Sequence, residues 1–193
     1  MRTDRLEAFS DGVFAIAITL LALDLPRPDG PDLWHELGTA WESYAAFLVS
    51  FLTIGIIWVN HHALIDRIDR ADRTLLFLNL ALLMWVSIIP WPTGLVADRL
   101  GEDGASAAVV VYSGAFLAMA ITFRAVWVHA RTTGALGALT PAQVAHLDRR
   151  NAVGLSAYSV AVVLAFVLPA ASLALCFLVA AFFLLPDRAE RLT

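Results

Sequence analysis

Asp11 and Ser10 sit inside an otherwise apolar N-terminal stretch, Arg5 to Leu25. Asn60, His61 and His62 close a second apolar run, and Asn79 sits inside a third. Side chains of these types could bind a metal or trade protons, but the spacing argues against both. Adjacent histidines on a helix point about 100° apart, so His61 and His62 cannot grip one ion as an i, i+4 pair can. Cys176, the single cysteine, falls in a separate apolar run and forms no intramolecular disulfide; it is expected as a small buried hydrophobe. No nucleophile motif or glycine-rich elbow accompanies Asp11, so no enzyme, metal or cofactor is expected. What these residues can do is partner one another: polar groups in lipid must be satisfied internally, and ionisable residues there point to function.

The element that must hold Asp11 is the first helix. Between Asp11 and Asp24 only twelve uncharged residues intervene, about 18 Å of helix, short of a hydrocarbon core of about 30 Å. Counted from Arg5 to Leu23 the segment does span, provided Arg5, Glu7, Ser10 and Asp11 lie in or near the lipid zone. At about 100° per residue, Ile16, Leu20 and Leu23 fall within about 60° of one another, with Phe9 and Gly12 extending the stripe. Ala8, Ala15 and Ala22 recur every seven residues on an adjoining face, where a neighbouring helix can approach closely. Asp11 points with this small face, more than about 90° from Ile16. On periodicity alone the isoleucine–leucine seam faces lipid or core.

Arg5, followed by Phe9-Ser10-Asp11 and then by Gly-Val-Phe-Ala-Ile-Ala-Ile-Thr-Leu-Leu, resembles the signature of prokaryotic members of the transmembrane protein 175 family of endolysosomal potassium channels. Trp58 to His62 (WVNHH) and the run from Asn79 to Thr93 carry the likeness further; beyond Thr93 it is weak. The resemblance implies four copies around a pore lined by the first helix, with Ile16, Leu20 and Leu23 at its narrow points. It also implies a polar network of Arg5, Ser10 and Asp11, beside Phe9, with Trp58, Asn60, His61 and Asn79, which fixes the rotation of that helix. Thr19 lies beside the seam and could coordinate an ion, and Asp24 either draws cations to the outer mouth or is an ordinary solvated carboxylate. No TVGYG-like loop occurs, so rings of backbone carbonyls cannot supply selectivity. The implied function is a potassium-permeable cation channel with a modest preference over sodium. The alternatives are a secondary transporter, whose inverted repeats or midplane breaks are not visible, and a non-conducting membrane scaffold.

The rest of the chain is consistent with a membrane setting. Of 193 residues 60% are hydrophobic, and the mean hydropathy is +0.74, as in an integral membrane protein. A net charge of -4 without any basic stripe excludes nucleic acid as a partner. Asp11 within a late apolar stretch argues against a cleavable signal. Runs free of Asp, Glu, Lys and Arg extend over Ser43–Ile65, Thr74–Ala97 and Ala105–Phe123, each of spanning length. The run Asn151–Leu185, about 52 Å as one helix, is split into two crossings by Leu168-Pro169. Six spans result, in one all-α domain covering residues 1–193. With both termini cytoplasmic, Arg2, Arg5, Arg67, Arg70, Arg73, Arg131, Arg149, Arg150, Arg188 and Arg191 lie inside and only Arg27 and Arg99 outside, with Arg124 at the inner end of the fourth span. The expected setting is a prokaryotic plasma membrane, with potassium ions, lipid and three further copies of the chain as partners. Trp34, Trp41, Trp91 and Trp127 fit an interfacial belt, while Trp58 and Trp85 pack between helices. Thr140-Pro141-Ala142-Gln143 reads as a capping box that starts a helix.

Overall fold

Proline, glycine and short polar caps cut the chain into helices. In a computed structural model of the protein, which describes residues 3–137 and 139–184, α1 covers Asp4–Leu20 and tightens into a 3₁₀ turn over Leu21–Asp24. A proline-rich loop leads to the short α2, Leu33–Thr39, whose N-cap Asp32 accepts from the His35 N–H. There follow α3 (Trp41–Ile65), α4 (Arg73–Ile88), α5 (Pro90–Arg99), α6 (Ala105–Thr132), α7 (Pro141–Ala165) and α8 (Pro169–Leu184). Arg2, Arg188 and Arg191 of the charge argument lie outside the described residues.

Local chemistry sets most of these boundaries. Asp72 caps α4 through the Leu75 N–H at 2.7 Å. Thr140 and Gln143 form the expected reciprocal cap of α7, with Pro141 at the first helical position. α7 ends at Ala165 and α8 begins at Pro169, where the ring removes a donor and disfavours helix before it. The turn into α6 uses Gly101 and Gly104 at φ 86° and 98°, a left-handed backbone that side-chain-bearing residues rarely adopt.

By length and composition, four segments among the described residues suit a membrane crossing: Asp4–Asp24, Trp41–Ile65, Arg73–Arg99 and Ala105–Thr132. The third joins α4 and α5 across Pro90. α8 is apolar but short, and α7 carries Asp148, Arg149 and Arg150 in its first half. α6 extends to Thr132 rather than stopping near Phe123, so Arg124 lies within its last turns and not at its end; its Nη1 is buried without a partner.

α6 is the packing centre, set against α4, α5, α7 and α8, while α1 lies on α3 and α4. Tyr112 meets Phe116 edge-on with ring centroids 4.7 Å apart. Ser50 bridges α3 to α5 and α6 by bonding the hydroxyls of Thr93 at 2.7 Å and Tyr112 at 3.1 Å. A second apolar cluster, including Leu6, Leu64, Ile68, Leu75 and Trp127, closes one end of the bundle. Here the two loops are pinned together by Asp69 N–H to Ala135 C=O and Gly137 N–H to Arg67 C=O, each 2.9 Å. Arg5, Arg67, Arg70, Arg73 and Arg131 flank this cluster, and Arg27 and Arg99 lie at the opposite end, where Gly94 lets the Asp24 carboxylate approach. Trp127 departs from the interfacial belt: it is buried, and its Nε1 donates to Asp148 Oδ1 at 2.8 Å.

Candidate functional site: the two faces of the first helix

α1 turns Leu6, Ser10, Phe14, Ala17 and Leu21 into the bundle, at spacings of four, four, three and four that trace one side of a helix. Sequence reasoning did not single out this stripe, because Ser10 and Ala17 dilute it and the Ile16 seam is more apolar. Allowing small and hydroxyl residues in the pattern would have found it.

Ser10 begins a chain of hydrogen bonds whose direction is fixed by counting protons. Its Oγ donates to the Leu6 carbonyl at 2.8 Å, which uses its only hydrogen. Asn79 of α4 must therefore present its amide nitrogen, and Nδ2 donates to Ser10 Oγ at 3.0 Å. That turns Asn79 Oδ1 toward His61 Nε2 of α3, 2.6 Å away, so His61 carries its proton on Nε2 and donates. Its Nδ1 is left as a buried, unpartnered lone pair, and the Phe14 ring lies 5.4 Å from the imidazole. Ser10, His61 and Asn79 are all fully buried. Three helices meet in this one chain of bonds.

A second set of contacts ties α1 to α3. Trp58 Nε1 donates to Asp11 Oδ1 at 2.8 Å. One turn earlier, Glu7 Oε1 lies 2.9 Å from His62 Nδ1, while Asp66 Oδ2 is 3.7 Å from the other ring nitrogen. The His62 ring stacks on Trp58 with centroids 6.1 Å apart. Glu7, His62 and Asp66 thus bring three potential metal ligands within 4.8 Å, but a carboxylate already sits against each nitrogen of the exposed imidazole. Glu7 and His62 were not foreseen as a pair.

Not every residue grouped by the resemblance joins these contacts. Asn60 donates to its own helix, at the Ile56 carbonyl. Arg5 and Phe9 are exposed, and Phe9 falls on the same side as the seam.

The opposite side of α1 has no partner among the described residues. Ile16, Leu20 and Leu23 are 61%, 40% and 64% exposed, and Ala8, Ala15 and Ala22 beside them are exposed too. Thr19 spends its hydroxyl proton on the Ala15 and Ile16 carbonyls, at 3.0 and 2.9 Å, so toward the exposed side it offers only an oxygen lone pair. An apolar stripe and a small-residue stripe stand free on a helix whose other side is locked by hydrogen bonds.

Comparison with known proteins follows the same outline. A model of the family described as endosomal/lysosomal potassium channel TMEM175 matches residues 5–90, the part that holds α1, α3 and α4. A potassium channel of Streptomyces collinus is 54% identical over 169 residues, covering 84% of this chain and 82% of that protein. One from Chamaesiphon minutus is 41% identical over 194 residues, covering 97% and 96%. The crystal structure of a lysosomal potassium-selective channel TMEM175 homolog from Chamaesiphon minutus superposes with a TM-score of 0.86 at 40% identity, covering 98% of this chain and 97% of that one. The family model ends at residue 90, near where the sequence likeness weakens, while the full-length relatives extend it through α6, α7 and α8. The chain belongs to the family of the endosomal/lysosomal potassium channel TMEM175.

Proposed function

We propose that this chain is a potassium-permeable channel of a prokaryotic plasma membrane, a homotetramer whose pore is lined by α1 and narrowed by Ile16, Leu20 and Leu23. The single observation that carries the reading is the division of α1 into a face bonded to α3 and α4 and an apolar face that none of the described residues covers. Relatives of nearly the same length are named potassium channels, which supplies the ion. Ala8, Ala15 and Ala22 are the surface on which a neighbouring copy's helix would rest. Six crossings with both termini cytoplasmic, in one domain over residues 1–193, agree with Arg5, Arg67, Arg70, Arg73 and Arg131 gathering at one end of the bundle.

A ring of four isoleucines leaves no room for a hydrated cation, so passage requires partial dehydration or widening, and either is a barrier. Selectivity then rests on the fixed width of the ring, with the Thr19 oxygen beside it. The Ser10–Asn79–His61 chain and the Trp58–Asp11 bond hold the rotation that aims the ring.

The test is potassium flux from liposomes under an imposed gradient. Passive flux is expected; flux coupled to a second solute would mean a transporter, and none would mean a scaffold. Ile16→Asn should raise conductance and weaken potassium preference, because amide oxygens offer coordination to a desolvated ion. Ile16→Cys in a Cys176→Ala background should become blocked by a thiol reagent, whereas Ile18→Cys, on the half-buried opposite side, should not.

A further inference from the structure

α4 and α5 form one membrane segment that breaks at Ile89. Pro90 and Pro92 have no N–H to give to the Val86 and Ile88 carbonyls one turn back, so α4 does not dictate the direction of α5 as a continuous helix would. A set of buried hydroxyls does so instead. Thr93 of α5 donates its hydroxyl proton to the Ile89 carbonyl at 2.8 Å, which uses its only hydrogen. Ser50 of α3, 2.7 Å away, must therefore donate to Thr93. Tyr112 of α6, 3.1 Å from Ser50, must in turn donate to Ser50. The order Tyr112, Ser50, Thr93, Ile89 carbonyl ties α6 and α3 to the break itself, and all four residues are buried.

α5, held in this way, is a wall for the 3₁₀ turn Leu21–Asp24, which packs against it. Leu21 joins the same apolar core as Ile89 and Val96. Gly94, the residue after Thr93, leaves room for the Asp24 side chain: a Cβ added there would lie 3.4 Å from Asp24 Oδ2 and 3.8 Å from Asp24 Cβ. Leu23 stands between Leu21 and Asp24 and is itself exposed. Residues in a 3₁₀ turn advance about 120° each instead of about 100°, so over three residues Leu23 departs by about 60° from the α-helical register. A support at this turn can therefore place Leu23 separately from the rest of α1.

We propose that Ser50, Thr93 and Tyr112 are positioning residues for the outer constriction: by fixing α5 they set where Leu23 stands, separately from the Ser10–Asn79–His61 chain that aims Ile16. The inference rests on the reading of α1 as the pore lining. None of the three touches the ion; they act through α5, Gly94 and the 3₁₀ turn.

The test compares two cysteines. Ile16→Cys and Leu23→Cys channels, each with Cys176→Ala, are placed in planar bilayers, and the rate of block by a charged thiol reagent present on both sides is measured, so that each ring is reached from its own end. Thr93→Val keeps the shape and removes the acceptor for Ser50. It should change the rate at Leu23→Cys on the order of tenfold and at Ile16→Cys by less than about twofold. Thr93→Ser, which keeps the hydroxyl, should restore the parent rate. Where Thr93→Val does not assemble, Tyr112→Phe, which leaves the Ser50–Thr93 bond, carries the same measurement with a smaller shift confined to Leu23→Cys. A lock supplies the second readout, because the 3.8 Å Cβ spacing suits a disulfide. Asp24→Cys with Gly94→Cys, oxidised, should return the ion preference of Thr93→Val to that of the parent, and reduction should undo the return. Parent channels in which neither cysteine is blocked would end the pore reading and this inference together. Blocked parents in which Thr93→Val and Tyr112→Phe leave the Leu23→Cys rate unchanged, or change both rates alike, would overturn this inference alone, as would an oxidised lock that rescues nothing.

Discussion

Asn79→Leu removes the joint between three helices while keeping the side chain's branching and number of heavy atoms. Two hydrogen bonds disappear, to Ser10 Oγ and to His61 Nε2. Interhelical bonds in membrane proteins are worth about 0.6 kcal/mol each on average, which accounts for roughly 1 kcal/mol. The larger effect falls on what is left behind. Ser10 still donates to Leu6 and is not orphaned, but the His61 N–H is fully buried and has lost its acceptor, at about 1–3 kcal/mol. The single variant should therefore lose about 2–4 kcal/mol. His61→Leu added to Asn79→Leu removes the orphaned donor, and replacing both partners by apolar groups is close to neutral, so the double variant should be more stable than Asn79→Leu alone. Reversible denaturant unfolding of the detergent-solubilised protein, followed by tryptophan emission, measures both. A single variant within about 0.5 kcal/mol of the parent, or a double variant whose losses simply add, would refute the proton count on which this chain of bonds rests.

Other outcomes follow from particular contacts. Trp58→Phe and Asp11→Ala should show a coupling of about 0.5–1.5 kcal/mol in a double-mutant cycle, the net range for a hydrogen bond, and loss of assembly should precede any change in ion preference; a stable Asp11→Ala assembly with altered preference would place the carboxylate in the ion path. The Leu75 N–H, followed by the His129 ring, holds the Asp72 carboxyl below its ordinary 3.8. A depressed folded value contributes stability that is present above pH 3.8 and lost as pH falls below it, so the stability gap between the parent and Asp72→Asn should close in acid; a gap constant from pH 7 down to pH 3 would exclude this linkage. Reporter fusions in the Arg67–Arg73 loop should read inside and one near Gly101 outside; the reverse pattern would invert the proposed orientation.

What could be read in the sequence was what local chemistry decides. Thr140 with Gln143 and the proline at position 169 marked helix ends because capping and donor loss act within one turn. α2 was missed: seven residues after a proline-rich loop, capped by Asp32, carry too little periodicity to stand out from a loop. The buried side of α1 was missed for a different reason. In a lipid-facing protein apolar residues need not point inward, so the most apolar stripe, Ile16 with Leu20 and Leu23, was the exposed one, and the true inner stripe was marked by Ser10. Trp127 was misplaced because its partner, Asp148, lies on another helix, and a tryptophan near a span end looks the same whether its N–H faces headgroups or a carboxylate of a neighbouring helix.

The polar contacts of α1 are confined to one half of it. Glu7, Ser10 and Asp11 bond outward to α3 and α4, and beyond Phe14 the segment is held by Ala17, Ile18 and Leu21, whose packing is apolar and without direction. Ile16, Leu20 and Leu23 all belong to this second half. Their aim is therefore inherited along a rigid helix from bonds made up to four turns away, since a rotation at Ser10 carries through at about 100° per residue. In the proposed pore, the narrow part would be free of buried polar groups that could bind the ion and hold it. The directional bonds would then lie away from the proposed ion path. The 3₁₀ turn at Leu21–Asp24 shifts that register in its last residues, so Leu23 is the member of the seam whose aim is least determined by Ser10. Substitution of Asn79 should accordingly disturb the ring at Ile16 more than the one at Leu23.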